Sequence, residues 1–177
     1  AFYNQMILKS YEINKINLNI NKIILLYGRN DGLKSETINT LIKKESNNIS
    51  KFDEKDILNN LDTFKESIRS KSLFEEEKII IIKRSTDKSL QIIKELEKKN
   101  LEDLIIIINA ENLDKKSKLR SFFEKDKNYV CVAFYPDNEE TLSKLTYMFL
   151  REKKISLSPN NINLIVRRCN GSRESLM

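Results

Sequence analysis

Apolar residues in this chain gather into short unbroken runs. Between the runs they recur instead at every third or fourth position. Ile23-Ile24-Leu25-Leu26-Tyr27, the isoleucines of 78–83 and Leu104-Ile105-Ile106-Ile107-Ile108 are the strongest runs. An unbroken apolar run of this length suits a strand covered on both faces, as in a parallel sheet. Weaker strand signals fall at 49–52 and 129–135. Residues 6–19 form an ambiguous lead-in, with alternation around Ile16, Leu18 and Ile20. Between the runs, 33–44 carries a one-sided stripe of Leu33, Thr37 and Leu41 beside Ile38 and Ile42. Two short helical patterns cover 56–61 and 63–71. Ser85 or Asp87 is placed to cap a helix reaching about residue 99, with Leu90, Ile93 and Leu96 inward, and Asp114 to cap another through Phe123. Strands alternating with helices predict βαβ units and a doubly wound sheet.

The pattern changes after Pro136, and no further strand is predicted. One helix is expected over 139–153. Ser158-Pro159 starts a second, with Ser158 as cap and proline in the first turn, and Asn170-Gly171 ends it. Ser172 opens a third that has barely a turn before Met177. A single turn is not stable alone, so the natural chain is expected to continue. The expected division is an α/β domain over 1–136 and an incomplete helical domain over 137–177.

Composition narrows the function classes. The 177 residues are 33% charged, with a formal charge of +6. No apolar stretch approaches the ~18 residues of a membrane span. The start does not have the charged-then-apolar order of a signal peptide, so a cytoplasmic location is expected. Cys131 and Cys169 lie far apart in sequence and read as reduced core thiols. There is no histidine, which removes the usual general base and the commonest metal ligand. Cys, Asp and Glu do not cluster at metal-binding spacing, and no cofactor is expected. The basic surface reads either as solvated lysines or as a contact for DNA phosphates.

One motif carries candidate chemistry. The run ending at Tyr27 leads into Gly28-Arg29-Asn30-Asp31-Gly32-Leu33-Lys34-Ser35 and then a helix, which is the order of a P-loop. A working P-loop has four residues between its glycines, and its lysine follows the second glycine directly. Here three residues separate Gly28 from Gly32, and Leu33 intervenes before Lys34. That rotates Lys34 by about one helical residue, ~100°. Gly28 then reads as a strand end, Lys34 as a solvated residue at a helix start and Ser35 as an early helical residue. At the end of the Leu104 run, where an ATPase places an Asp to hold Mg²⁺, stands Asn109, which has no charge to offer. The frame of a nucleotide site is present without its chemistry.

Five segments in order resemble the delta subunit family of the bacterial DNA polymerase III clamp loader: LLYGRNDGLKSE at 25–36, SLFEEEKIIIIK at 72–83, IIIINAENLDKKSKLRSFFE at 105–124, YPDNEETLSKL at 135–145 and SPNNINLIVRRCNGSRESL at 158–176. The resemblance implies an AAA+-like fold: a RecA-type α/β domain, a small helical lid, and a helical collar that would lie after Met177. It also implies a protein that does not hydrolyse ATP itself but grips and opens the ring-shaped sliding clamp (beta subunit). Its other expected partners are the tau/gamma and delta prime subunits, and DNA through the assembled complex.

Ser72-Leu73-Phe74, followed by Glu75-Glu76-Glu77, joins a helical segment to an apolar strand. From the residues alone the Leu-Phe pair reads either as core closing the helix or as an exposed plug. The resemblance implies the plug, because clamp-binding peptides end in Leu-Phe and enter an apolar pocket on the clamp. Such peptides often begin with Gln, whereas Arg69 stands three residues before Ser72. Arg120 with Lys115, Lys116 and Lys118 forms a basic helix face for solvent, DNA or a neighbouring subunit. Arg167, Arg168 and Arg173 fall where the active relatives carry a phosphate-sensing arginine, and with no phosphate they are expected to serve packing or subunit contacts. Two other readings of the residues remain, a degenerate P-loop NTPase and a stand-alone basic DNA-binding domain.

Overall fold

In a computed structural model, described over residues 6–43, 48–71, 78–98 and 104–176, six strands form one sheet in the order β1-β6-β2-β5-β4-β3. The strands are β1 (Met6–Lys9), β2 (Ile23–Gly28), β3 (Ile49–Asp53), β4 (Lys78–Ser85), β5 (Leu104–Ala110) and β6 (Val130–Phe134). Every pairing is parallel. The helices are α1 (Asp31–Ile42), α2 (Glu54–Asn59), α3 (Leu61–Lys71), α4 (Ser89–Glu97), α5 (Lys118–Lys125), α6 (Glu139–Lys153) and α7 (Pro159–Cys169).

Alternate residues of the isoleucine runs face opposite sides of the sheet, and both sides are covered. Leu25, Ile80, Ile82, Ile106 and Ile108 join Ile57, Phe64, Ile92, Leu96 and Phe123 in the core under α2–α5. Ile24, Leu26, Ile79, Ile81, Ile105 and Ile107 join Ile38 and Leu41 of α1, with Leu18 from the lead-in. A third, smaller cluster of Leu142, Leu150, Ile162, Val166 and Cys169 holds α6 to α7. Both cysteines are free and buried, and burial pushes the Cys131 thiol up to about 12.

Local capping corrects three of the sequence expectations. In the lead-in the strand is Met6–Lys9, not the alternation around Ile16 to Ile20. A 3₁₀ turn follows at Ser10–Lys15. The Asn17 side chain accepts the Asn19 N–H at 3.0 Å, and the Asn21 side chain accepts the Asn17 N–H at 3.0 Å. Those side chains give the backbone a turn in place of a ladder. Neither Ser85 nor Asp87 caps α4, whose N-cap is Lys88 with no side-chain bond. Asp87 instead accepts the N–H groups of Lys118 and Leu119, each at 3.1 Å, at the start of α5. That helix begins at Ser117–Lys118, with Ser117 as cap instead of Asp114.

In the helical segment Ser158 caps α7 as expected, and Asn138, for which no capping role was expected, caps α6. Asn138 accepts the Thr141 N–H at 2.8 Å and Ser158 the Asn161 N–H at 3.3 Å. Asn170 ends α7 in the left-handed region, and Glu174–Leu176 is a 3₁₀ turn. Among the described residues no helix is long and apolar enough to cross a membrane.

Candidate functional site

β2 is flanked by β5 on one side and β6 on the other, although the chain visits β3 and β4 before returning to it. Ligands of open parallel sheets bind outside the C-terminal strand ends at such a reversal. The turn after β2 stands there. Gly28 closes the strand at φ +124°, and a Cβ on it would lie 2.0 Å from the carbonyl oxygen of Phe134 on β6. Only glycine lets the two strand ends approach this closely.

Three N–H groups in and just after this turn, those of Gly28, Leu33 and Lys34, are bonded within the chain. Gly28 N–H donates to the Glu111 carbonyl at 3.1 Å, and Lys34 N–H donates to the Asn30 carbonyl at 3.0 Å. Leu33 N–H donates to the Asn30 side-chain oxygen at 3.0 Å, so the cap of α1 belongs to the turn itself. The amide of Asn30 also donates to the Tyr135 carbonyl at 2.9 Å and to Asp137 at 3.0 Å. Asn30 is the polar hub of the site, and sequence reasoning passed over it. Its place three residues before Leu33, at the start of an apolar stripe, was the available signal.

Lys34 departs from expectation. It is not solvated at the helix start but only 1% exposed. Its ammonium donates to the Ala110 carbonyl at 2.7 Å and pairs with Asp31 at 2.9 Å. The shortened turn has swung the lysine inward, onto the end of β5, where it satisfies a backbone oxygen. Asn109 sits beside it in β5, half-buried, in register with Leu26. Ser35 is exposed and Gly32 half-buried. The structure therefore brings Gly28, Gly32, Lys34 and Asn109 to one rim, arranged for internal bonds.

The remaining space over Gly32 is taken by Arg173. A Cβ on Gly32 would lie 2.6 Å from the Arg173 Cγ. The guanidinium donates to both Asp137 oxygens at 2.8 and 2.7 Å and to Glu36 at 2.8 Å. Burial alone would raise the Asp137 carboxyl, but bonds from Arg173 and Asn30 outweigh it and hold the group below its ordinary value.

Arg120 is not part of an open basic face. Its guanidinium lies over the Tyr27 ring at 5.1 Å, pairs with Glu124 at 2.7 Å and donates to the Leu113 carbonyl at 3.3 Å. A cavity of about 490 Å³ beside the rim is lined by Thr86, Asp87, Lys88, Glu111, Asp114 and Ser117 among others. Asp87, its one carboxylate aimed at a helix start, is spent on α5.

Ser72, Leu73 and Phe74 lie outside the described residues. Their flanks are the end of α3 at Lys71 and the start of β4 at Lys78. Lys78 stands at the N-terminal rim of the sheet, opposite the turn after β2.

These bonds set an expectation for nucleotide. A phosphate group would have to displace Lys34 from Ala110 and Arg173 from Gly32, both buried and paired. Calorimetry with Mg-ATP is expected to give no dissociation constant below ~10 μM, that is, no binding stronger than about −7 kcal/mol. Tighter binding would contradict the reading of the turn.

Comparison with known proteins gives a consistent picture. The family model for the DNA polymerase III delta subunit matches residues 24–133, more than half of the chain. A Bacillus subtilis DNA clamp loader delta protein (YqeN) has the same fold, with TM-score 0.57 and 16% identity over 94% of this chain and 54% of that one. Domain III of the Thermotoga maritima replication initiation protein DnaA aligns with TM-score 0.54 and 16% identity, over 89% of this chain and 72% of that one. A Thermotoga maritima RuvB variant aligns with TM-score 0.59 and 12% identity, over 88% of this chain and 52% of that one. The chain thus spans about half the length of the solved delta protein. No curated protein matches its sequence.

Proposed function

The chain belongs to the DNA polymerase III delta-subunit family, and from that premise we propose that it binds the sliding clamp and opens the ring, without nucleotide chemistry of its own. The observation that carries the reading is the self-occupied rim. Lys34 is bonded to Ala110, the α1 cap is Asn30, and Arg173 covers Gly32. A chain of this fold that keeps the frame of a nucleotide site but bonds it shut has a mechanical task left to it.

In this reading 1–136 is the AAA+-like domain and 137–177 the lid. Ser72, Leu73 and Phe74 supply the clamp contact, in the segment between α3 and β4. Leu73 and Phe74 enter an apolar pocket on the clamp, and a few such buried anchors carry most of the energy of an interface. Binding can open the ring only if the chain has higher affinity for the open form than for the closed one. The other loader subunits supply the ATP-driven control, and DNA is met through the assembled complex.

The test uses clamps preloaded on nicked circular DNA. A closed ring leaves a circle only by opening, so adding the chain is expected to speed clamp release well above the spontaneous rate, with or without ATP. An unchanged release rate at chain concentrations that saturate the clamp would show binding without opening and overturn the mechanism. Release that requires ATP hydrolysis by this chain would overturn it as well.

A further inference from the structure

We propose that Arg173 and Asp137 form a permanent latch that pins the segment after Pro136 onto α1, in the place a ligand would otherwise occupy. The anion at this site is the chain's own carboxylate. The Asp137 side chain is 6% exposed, the Arg173 side chain 10% exposed, and the two meet through two parallel N–H···O bonds. That fork geometry is the strong, directional form of the ion pair. Burial also shields it from salt, unlike a surface pair.

Four other contacts make the pair a latch between elements, not a local bond. The third guanidinium donor reaches Glu36 on α1, 137 residues away in sequence. Asn30 ties Asp137 to the cap of the same helix. Gly32 has no side chain, and the stem of Arg173 lies against it. At the other end, Asp137 N–H donates to the Gly171 carbonyl at 2.9 Å, so the last turn of the helical segment folds back on its first residue. Gly171 holds this return at φ +81°, with Pro136 and Asp137 packed where a Cβ would point. The hinge, the end of α7 and the start of α1 therefore close into one ring of bonds. Between the helical segment and the sheet domain the latch supplies buried polar contacts, whereas the apolar cluster of Leu142, Leu150, Ile162 and Val166 is internal to the segment.

The consequence is a segment whose orientation is fixed without any ligand. This proposal stands apart from the clamp reading, since 72–74 takes no part in it, and its test measures neither clamp nor DNA. Hydrogen exchange of the chain is compared with that of Asp137→Asn and Gly32→Ala. The first removes the charge at constant shape, and the second adds a methyl group where the Arg173 stem lies. Both are expected to speed exchange of α6 and α7 amides by about tenfold or more, while β2, β5 and β6 change by less than about twofold. Glu36→Gln removes only the outer, half-exposed pair and is expected to give a smaller increase, about threefold, at the same amides. It decides the matter if the stronger variants do not fold. Unchanged exchange in α6 and α7 would overturn the latch. So would an increase spread evenly over the core strands, which would make the cluster an ordinary part of the folding core.

Discussion

Leu73→Ala/Phe74→Ala is expected to abolish clamp binding at ordinary protein concentrations and to leave the fold intact. If both side chains enter a pocket on the clamp, each buries apolar surface worth ~1.5–3 kcal/mol. Losing both then weakens binding by on the order of 100-fold or more, at ~1.4 kcal/mol per decade. The alternative is a core pair closing α3. In that case the double variant loses several kcal/mol of stability, as large-to-small core substitutions do. Clamp affinity and melting temperature measured on the same protein separate the two. A plug gives lost affinity at an unchanged melting temperature. A core pair gives a lower melting temperature, and unchanged affinity would remove 72–74 from the interface.

The second large effect concerns folding. Gly28→Ala is expected to destabilise the chain by ~3 kcal/mol or more, and to lower its melting temperature by roughly 10 °C. The added Cβ meets the Phe134 carbonyl oxygen at 2.0 Å, and φ +124° is strained for any L side chain. Neither problem can be relieved without parting β2 from β6, because Gly28 is paired with Phe134. A ligand has no part in this requirement, so the loss is expected in the protein alone. A melting temperature within ~2 °C of the parent would mean that the turn is softer than its geometry indicates.

Much of the sheet could be read before the structure. Ile79 to Ile82 and Leu104 to Ile108 are unbroken because helices cover both faces, and alternate residues enter separate cores. The boundaries of α6 and α7 were equally legible, because Asn138, Ser158 and Asn170 act within three residues of themselves. What escaped depends on partners far away in sequence. Asp87 looks like a cap for the helix just after it, yet it serves α5 about thirty residues on. Lys34 next to a helix start reads as solvated, and only Ala110, 76 residues away, explains its burial. Arg173 finds Glu36 across 137 residues. Periodicity and capping report on neighbours; an ion pair between the two ends of a chain leaves no local trace. The short edge strand β1 was masked for another reason: four residues give too little alternation, and the asparagines after it imitate a strand while forming a turn.

The function proposed for this chain is to hold the clamp by its own surface and not through nucleotide. The most direct measurement is a titration of the organism's purified sliding clamp with this chain, run with and without Mg-ATP, with the Leu73→Ala/Phe74→Ala variant in parallel. The account predicts saturable binding by the parent chain, the same dissociation constant in both buffers, and a loss of about 100-fold or more in the variant. No binding to the clamp, or binding that appears only with Mg-ATP, would contradict it.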